Sequence, residues 1–335
     1  MSSNETKSSP AIGLDIGTSR IVMARRTGAD FEFRNQLNAF VSIPFSKMTE
    51  KALEREGVPY ARKDSMLVVH GSESEKFADL LGLETRRPMT AGMLNPAETD
   101  GPEVILRVVD SLLGERNGNG KLLYFSVPAP PLDGEENLTY HEAALREMLA
   151  GRGYKANSIN EGLAVVYAEL ENTNYSGIGI SCGGGLCNVC LAYLAVPIVS
   201  FSIPKAGDFI DASAAAVTGE RITRVRIEKE TGFHFNGNFT AKVHQALGVY
   251  YDNMVQSVVE GMKEAFSHAR NLPKFRQPVP IVLSGGTALP QGFCERFEEV
   301  LRSGGFPVPF SEVHLAPDPL NSTAKGALTA ALAEL

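Results

Sequence analysis

Apolar runs of strand length alternate with glycine-bearing turns and then give way to helical spacing, and they do so twice along the chain. Residues 11–16, AIGLDI, form a short apolar run, Gly17-Thr18-Ser19 follow, and IVMARR resumes the strand-like pattern. Two such runs about a Gly/Thr/Ser turn predict a β-hairpin. Residues 38–71 carry mixed strand signals ending in SMLVVHG, and SESEKFADLLG follows as a helix with a serine cap near its start. VILRVVDSLLG (104–114) has the apolar stripe of an amphipathic helix, and GERNGNGK is a loop of turn formers. KLLYFSVP (121–128) predicts a buried strand stopped by Pro128. LTYHEAALREMLA (138–150) predicts a helix followed by Gly151 and Gly153, and GLAVVYAEL (162–170) continues as helix.

The second half starts in the same style. GIGIS (177–181) reads as a strand, CGGG as a turn, LCNVCLAYLAV as a second strand and IVSFSI as a third. DFIDASAAAVTG is helical, 219–235 is charged and polar, 241–270 predicts one long helix, and 279–301 reads strand, Gly-Gly turn, helix. A strand hairpin with a glycine turn thus recurs near 12–25 and near 178–195. Two similar α/β lobes around one cleft are the expected architecture.

Composition narrows the function. The chain has 335 residues, a length that suits about two domains. With 32 Lys and Arg against 39 Asp and Glu, the net charge of −7 argues against a general nucleic-acid or anionic-membrane binder. No stretch approaches transmembrane length. MSSNETKSSP lacks the apolar region of a signal peptide and reads as a disordered tail over residues 1–10, so the cytoplasm is the expected location. The apolar C-terminal stretch GALTAALAEL lacks the basic face of a membrane-surface helix.

Three of the four cysteines, Cys182, Cys187 and Cys190, lie in SCGGGLCNVC, and Cys294 is more than a hundred residues away. Their spacing matches part of an iron–sulfur pattern. The flanks read as strands, however, and alternate strand residues face opposite sides, so buried free thiols are the favoured reading.

Tight Gly/Ser/Thr turns expose consecutive backbone N–H groups that can cradle phosphate oxygens. Two such turns on opposing lobes would clamp a polyphosphate. A carboxylate at Asp15 suits Mg²⁺ held through water. Gly285-Gly286-Thr287 would serve a ribose or base. Taken singly, each turn is as well explained by backbone conformation; the ordered set is far more specific.

In that order, the chain resembles the actin / heat-shock chaperone ATPase / sugar kinase superfamily, and most of all bacterial actins of the MreB and MamK kind. GLDIGTSRIVMA resembles the first phosphate loop and GISCGGGLCNVCLAYL the second; RRPMTAGML resembles the stretch after the small subdomain of the first lobe. SINEGLAVVYAEL resembles the helix bearing the hydrolytic Glu, SIPKAGDFID the Gly-Gly-Asp segment, IVLSGGTALPQGF the adenosine motif and DPLNSTAKGAL the closing motif. The match runs over roughly residues 11–335. It implies an actin-like ATPase fold: two ribonuclease-H-like lobes, each with a smaller subdomain, around a nucleotide cleft. The lobes would span 11–157 (small subdomain about 38–87) and 158–320 (small subdomain about 208–276), with 321–335 a C-terminal helix returning to the first lobe.

The resemblance also implies roles for ATP or ADP with Mg²⁺. Asp15 would hold Mg²⁺ through water. Gly17, Thr18, Ser19 and Arg20 would hold phosphates from one lobe, and Ser181, Gly183, Gly184 and Gly185 from the other. Gly207 and Asp208 would close the cleft, Gly285, Gly286 and Thr287 would contact adenosine, and Glu161 would position the attacking water. A helix N-terminus favours a carboxylate for its dipole alone, which is the competing explanation of Glu161. Near the base, the pattern's Glu and Lys fall on Val225 and Glu228, or on Lys229 after a one-residue shift.

Departures qualify the activity. Ser181 stands where the second loop usually begins with Asp, Leu186 and Cys187 replace hydroxyl residues, and Gly162 replaces the Pro after the catalytic Glu. The expected function is a cytoplasmic actin that polymerises head-to-tail on binding ATP, with slow or altered hydrolysis; itself is the main partner, with possible cytoplasmic adaptor proteins, no direct membrane anchor and no direct nucleic acid. A non-polymerising scaffold or pseudo-ATPase is the first alternative. A small-molecule kinase of the same superfamily is the second.

Overall fold

The computed structural model describes residues 11–114, 118–133, 138–237, 239–270 and 272–335. The expected tail and part of the 114–121 loop lie outside them. In chain order the elements are β1 (Ala11–Ile16), β2 (Arg20–Thr27), β3 (Asp30–Leu37), β4 (Phe40–Pro44), α1 (Lys47–Arg55), β5 (Tyr60–Lys63), β6 (Met66–His70), α2 (Glu73–Leu81), β7 (Met89–Thr90), β8 (Met93–Leu94), α3 (Gly101–Leu113), β9 (Leu122–Val127), α4 (Leu138–Ala150), β10 (Lys155–Asn160) and α5 (Glu161–Glu169). They continue with β11 (Gly177–Cys182), β12 (Cys187–Tyr193), β13 (Val196–Ile203), α6 (Gly207–Thr218), α7 (Ile222–Thr231), α8 (Lys242–His268), β14 (Val279–Ser284), α9 (Phe293–Arg302), β15 (Phe310–Leu315) and α10 (Ser322–Ala333).

Two five-stranded sheets carry the fold, in the orders β3-β2-β1-β9-β10 and β13-β12-β11-β14-β15. In each, three strands meander antiparallel and two more join in parallel. The sheets are topological copies. We call each, with its helices, a lobe. A three-stranded sheet, β4-β6-β5, stands with α1 and α2 as a satellite of the first.

Each sheet buries both faces. Leu14, Ile16 and Phe125 meet Val104, Ile105 and Val108 of α3 on one face of the first sheet. Ala11, Val22 and Ala24 meet Ala324, Leu328 and Ala331 of α10 on the other. In the second sheet, Ile178, Ile180 and Val189 face Met254, Val258 and Phe266 of α8, while Cys190 and Val282 face Val165 and Val166 of α5. Helices α5 and α10 are therefore sandwiched between the lobes. They cross at backbone distance: a Cβ at Gly326 would lie 1.7 Å from the Ala164 carbonyl oxygen, so only glycine fits.

Three local expectations change. Strand β10, not foreseen, lies between α4 and α5. Its sequence, KANSIN, has little apolar signal, and its place is set by full-length pairing with β9. Residues 38–71 hold helix α1 besides strands; it buries only Leu53, and Ser46 caps it by accepting from the Thr49 N–H at 3.0 Å. Ser72 precedes α2 without capping it, because its hydroxyl and its N–H both donate to Gln36 Oε1 at 2.9 Å.

Candidate functional site

A cleft of about 500 Å³ opens between the lobes where the β1–β2 and β11–β12 turns face each other. Asp15, Gly17, Thr18, Ser19, Arg20, Glu161, Ser181, Gly183, Gly184, Gly185, Asp208, Lys229, Gly285, Gly286 and Thr287 all line it. Gly207 does not line it but lies directly behind, donating its N–H to the Gly183 carbonyl at 3.1 Å. Sequence positions from six separate segments are thus brought to one cavity.

The turns touch. A Cβ on Gly184 would stand 2.2 Å from Ser19 Oγ, and one on Gly185 would stand 2.5 Å from Thr18 Oγ1. Thr18 Oγ1 also accepts from the Gly92 N–H at 3.0 Å. Leu186, in place of a hydroxyl residue, is buried against Gly92 of the first lobe. It joins the lobes by apolar contact rather than by offering a donor to a ligand.

At the floor stand two carboxylates. Asp15 Oδ1 accepts from Ser126 Oγ at 2.6 Å, and Ser126 Oγ in turn accepts from the Ile16 N–H at 3.0 Å. Glu161 opens α5, whose N-cap Asn160 accepts from the Leu163 N–H at 3.2 Å. Its Oε2 accepts from Ser181 Oγ at 3.1 Å and from Asn188 Nδ2 at 2.9 Å. Asn188 is held by accepting from the Ala129 N–H at 2.8 Å. Gly162 permits this placement: a Cβ there would lie 2.7 Å from the Cys190 nitrogen, so α5 can lie on the β11–β12 hairpin only without a side chain.

Both carboxylates open onto the cleft, but protein crowds their remaining sides. Burial raises the Asp15 carboxyl to about 6, against a smaller lowering by Ser126. Burial, with the nearby Asp15 charge, raises Glu161 to about 8; the Ser181 and Asn188 hydrogen bonds offset part of this. Two such carboxyls facing each other call for added positive charge. Among the described residues no cluster of three or more His, Cys, Asp or Glu could hold a metal by itself. A cation held by one or two carboxylates together with water and ligand oxygens, the habit of Mg²⁺, fits this donor set.

Residues expected at the nucleoside have other partners. Lys229 is buried and pairs with Asp211 at 2.9 Å, and it also donates to the Gly207 carbonyl at 3.3 Å. Val225 is buried in the second-lobe core, and Glu228 lies 3.2 Å from His244 Nε2. Thr287 donates its hydroxyl to the Gly183 carbonyl at 2.7 Å and so braces the second turn. Ser126, Asn188, Asp211 and Arg87 were not foreseen. Arg87 Nη1 donates to Asp208 Oδ1 across the cleft at 2.7 Å. Nearer the rim, Thr223 donates to Glu84 at 2.8 Å and Arg226 to Glu75 at 3.5 Å.

The cysteines do not converge. Cys182 and Cys187 pair across the hairpin and face the α8 core, whereas Cys190 points to α5; all are free thiols. No helix among the described residues is long and apolar enough to cross a membrane.

Duplicated mixed sheets around a cleft with paired glycine turns define the actin-like ATPase fold. Within that class the chain matches the Volactin family over residues 11–331, and it belongs to that family. No curated protein matches it. Among solved structures it is similar to a MamK double helical filament, with TM-score 0.75 and 18% identity over 97% of this chain and 98% of that one. A non-polymerising MamK mutant bound to AMPPNP gives TM-score 0.60 and 20% identity over 96% and 98%. The ethanolamine utilization protein EutJ from Carboxydothermus hydrogenoformans gives 0.56 and 18% over 95% and 89%. At these identities the likeness is one of fold.

Proposed function

We propose that this protein is an actin-like filament former that binds ATP with Mg²⁺ between its lobes and assembles head-to-tail in the cytoplasm, with other copies of itself as its main partner. The observation that carries the reading is the meeting of two glycine turns over Asp15 and Glu161 in one interlobe cleft. Similarity to a MamK filament supports assembly, and similarity to a MamK mutant bound to AMPPNP supports a nucleotide in the cleft. We draw the lobes at 11–157 and 158–320, with 321–335 docking back on the first. Contacts between unlike faces that do not close on themselves yield filaments.

Within this reading Asp15 is the residue that would hold Mg²⁺, which would draw negative charge off the phosphates. Gly17, Thr18, Ser19 and Arg20 would hold the phosphates from one side, and Gly183, Gly184 and Gly185 from the other. Gly285 and Gly286 border the adenosine end. Glu161 would orient a water. Burial and the Asp15 charge raise its carboxyl, and Ser181, standing where a carboxylate would help hold Mg²⁺ and its water, adds no charge. Hydrolysis is accordingly slow. The same two residues favour a second reading, a nucleotide-binding scaffold that does not polymerise.

High-speed pelleting with ATP, with ADP and without nucleotide, each pellet viewed by negative stain, separates the two. Filaments with ATP that are lost in Asp15→Ala are the expected result. Calorimetric nucleotide binding with no filament in any condition would favour the scaffold and remove the polymer.

A further inference from the structure

We infer that Arg87 is a polyphosphate-binding residue of the cleft and that it takes up the phosphates by giving up Asp208. The inference rests on the nucleotide reading above and adds to it a cation and an exchange.

Position comes first. Residues 87–94 belong to the first lobe, yet they touch every part of the phosphate end. Gly92 donates to Thr18 of the first turn, and Leu186 of the second turn packs on Gly92. Arg87 reaches Asp208, whose own N–H donates to the Gly184 carbonyl at 2.8 Å. The point where a Gly184 Cβ would stand is 3.7 Å from Asp208 Oδ1 and 2.2 Å from Ser19 Oγ. The acceptor of Arg87 therefore sits within a few ångströms of the place where the two turns meet.

Charge comes second. Asp15, Glu161, Asp208, Asp211 and Glu230 already put five carboxyls on this cleft, and a polyphosphate adds more negative charge. Lys229 is held by Asp211 and the Gly207 carbonyl, and Arg226 lies between Asp211 and Glu75. Arg20 lies on the first turn itself. Arg87 is the cation that spans the lobes at the turns, and its side chain is 17% exposed, so its charge is only lightly screened.

Chemistry comes third. A guanidinium presents a planar fork of N–H donors that suits phosphate oxygens as well as carboxylate oxygens. The present contact runs from one Nη to one Oδ of a carboxylate whose side chain is 39% exposed. A phosphate group can take the same fork in two parallel bonds and so outcompetes the single-point carboxylate contact. Because Asp208 lies in the first turn of α6 in the second lobe, the exchange rewrites a cross-cleft contact whenever the polyphosphate changes.

The test is a set of calorimetric titrations of the full-length protein with AMPPNP, ADP and adenosine, all with Mg²⁺. Arg87→Ala is expected to weaken AMPPNP by about tenfold or more, the scale of a charged hydrogen bond, while adenosine binding stays within about twofold. Asp208→Asn is expected to tighten AMPPNP by about threefold, the scale of an open ion pair, and that gain should vanish in an Arg87→Ala background. Unchanged AMPPNP affinity in Arg87→Ala, or a gain from Asp208→Asn that persists without Arg87, would overturn the exchange while leaving nucleotide binding intact. Wild-type protein that binds none of the three compounds would overturn the nucleotide reading as well. Retained adenosine binding certifies the fold of each variant, and Arg87→Gln, which keeps the side-chain bulk, carries the same prediction if Arg87→Ala does not fold.

Discussion

The β1–β2 and β11–β12 hairpins occupy equivalent places in the two sheets, and their sequences can be laid side by side. AIGLDIGTS sets Gly13, Asp15 and Gly17 where GIGISCGGG sets Gly179, Ser181 and Gly183. The glycines agree because the packing agrees. A Cβ on Gly13 would stand 2.1 Å from the Ala324 carbonyl oxygen of α10, and one on Gly179 would stand 2.4 Å from the Gly162 carbonyl oxygen of α5. The serines on the neighbouring strands do not agree. Ser126, beside Asp15, donates to that carboxylate, whereas Ser284, the register partner of Ser181, donates to the Pro319 carbonyl at 3.0 Å. The duplicated backbone thus persists where the side-chain chemistry has diverged: one turn keeps a carboxylate and hydroxyls, the other offers backbone and the Ser181 hydroxyl.

The comparison can be broken hardest at the shared glycines. Gly13→Ala and Gly179→Ala each force a methyl onto backbone atoms, and each is expected to cost about 3 kcal/mol or more, a drop in melting temperature on the order of 6 °C or more. Thermal unfolding followed by circular dichroism checks this; a mild effect at one site only would mean that the two helix–sheet contacts are not equivalent. At the diverged position the effects are smaller and of opposite sign. Asp15→Asn should weaken Mg²⁺-dependent nucleotide binding by about tenfold or more, whereas Ser181→Asp, assayed with Mg²⁺ to offset the added charge beside Glu161, should speed phosphate release by about tenfold by restoring the second turn's carboxylate. Titration of nucleotide against Mg²⁺ and a phosphate-release assay read these; no gain in Ser181→Asp would show that Ser181 is not what slows the second turn.

The smallest effect sharpens the carboxyl pair. Burial and the Asp15 charge push the Glu161 carboxyl up to about 8 in the folded chain, above its ordinary 4.5. Between those values the folded state binds more protons than the unfolded one, so stability falls as pH rises through this window. Glu161→Gln removes that slope. At about pH 9 the variant should melt higher than the wild type by roughly 3 °C or more, with the gap closing near pH 4. A gap of equal size at both ends would place the effect in packing rather than in protonation.

Much of this was legible from spacing. The two hairpins, helices α3, α6 and α8 and the order of the turns follow from apolar periodicity and glycine placement, and the turn residues do meet in one cleft. Strand β10 was not legible, because KANSIN takes its place from pairing with β9 and not from its own pattern. Ser126 and Asn188 carry no motif; they matter through register, which sets them beside Asp15 and Glu161. Lys229 was legible as a cleft residue but not as the partner of Asp211, since the depth of a helix face is decided by its neighbours.

The crossing of α5 and α10 has a mechanical consequence. Gly326 meets Ala164 with no side chain between them, so this joint has nothing soft to compress and favours rotation of one sheet on the other over sliding. Displacement then grows with distance from the pivot, as on a lever. Contacts away from the crossing, such as those of Thr223 with Glu84 and of Arg226 with Glu75, would then move further than the glycine turns for the same rotation.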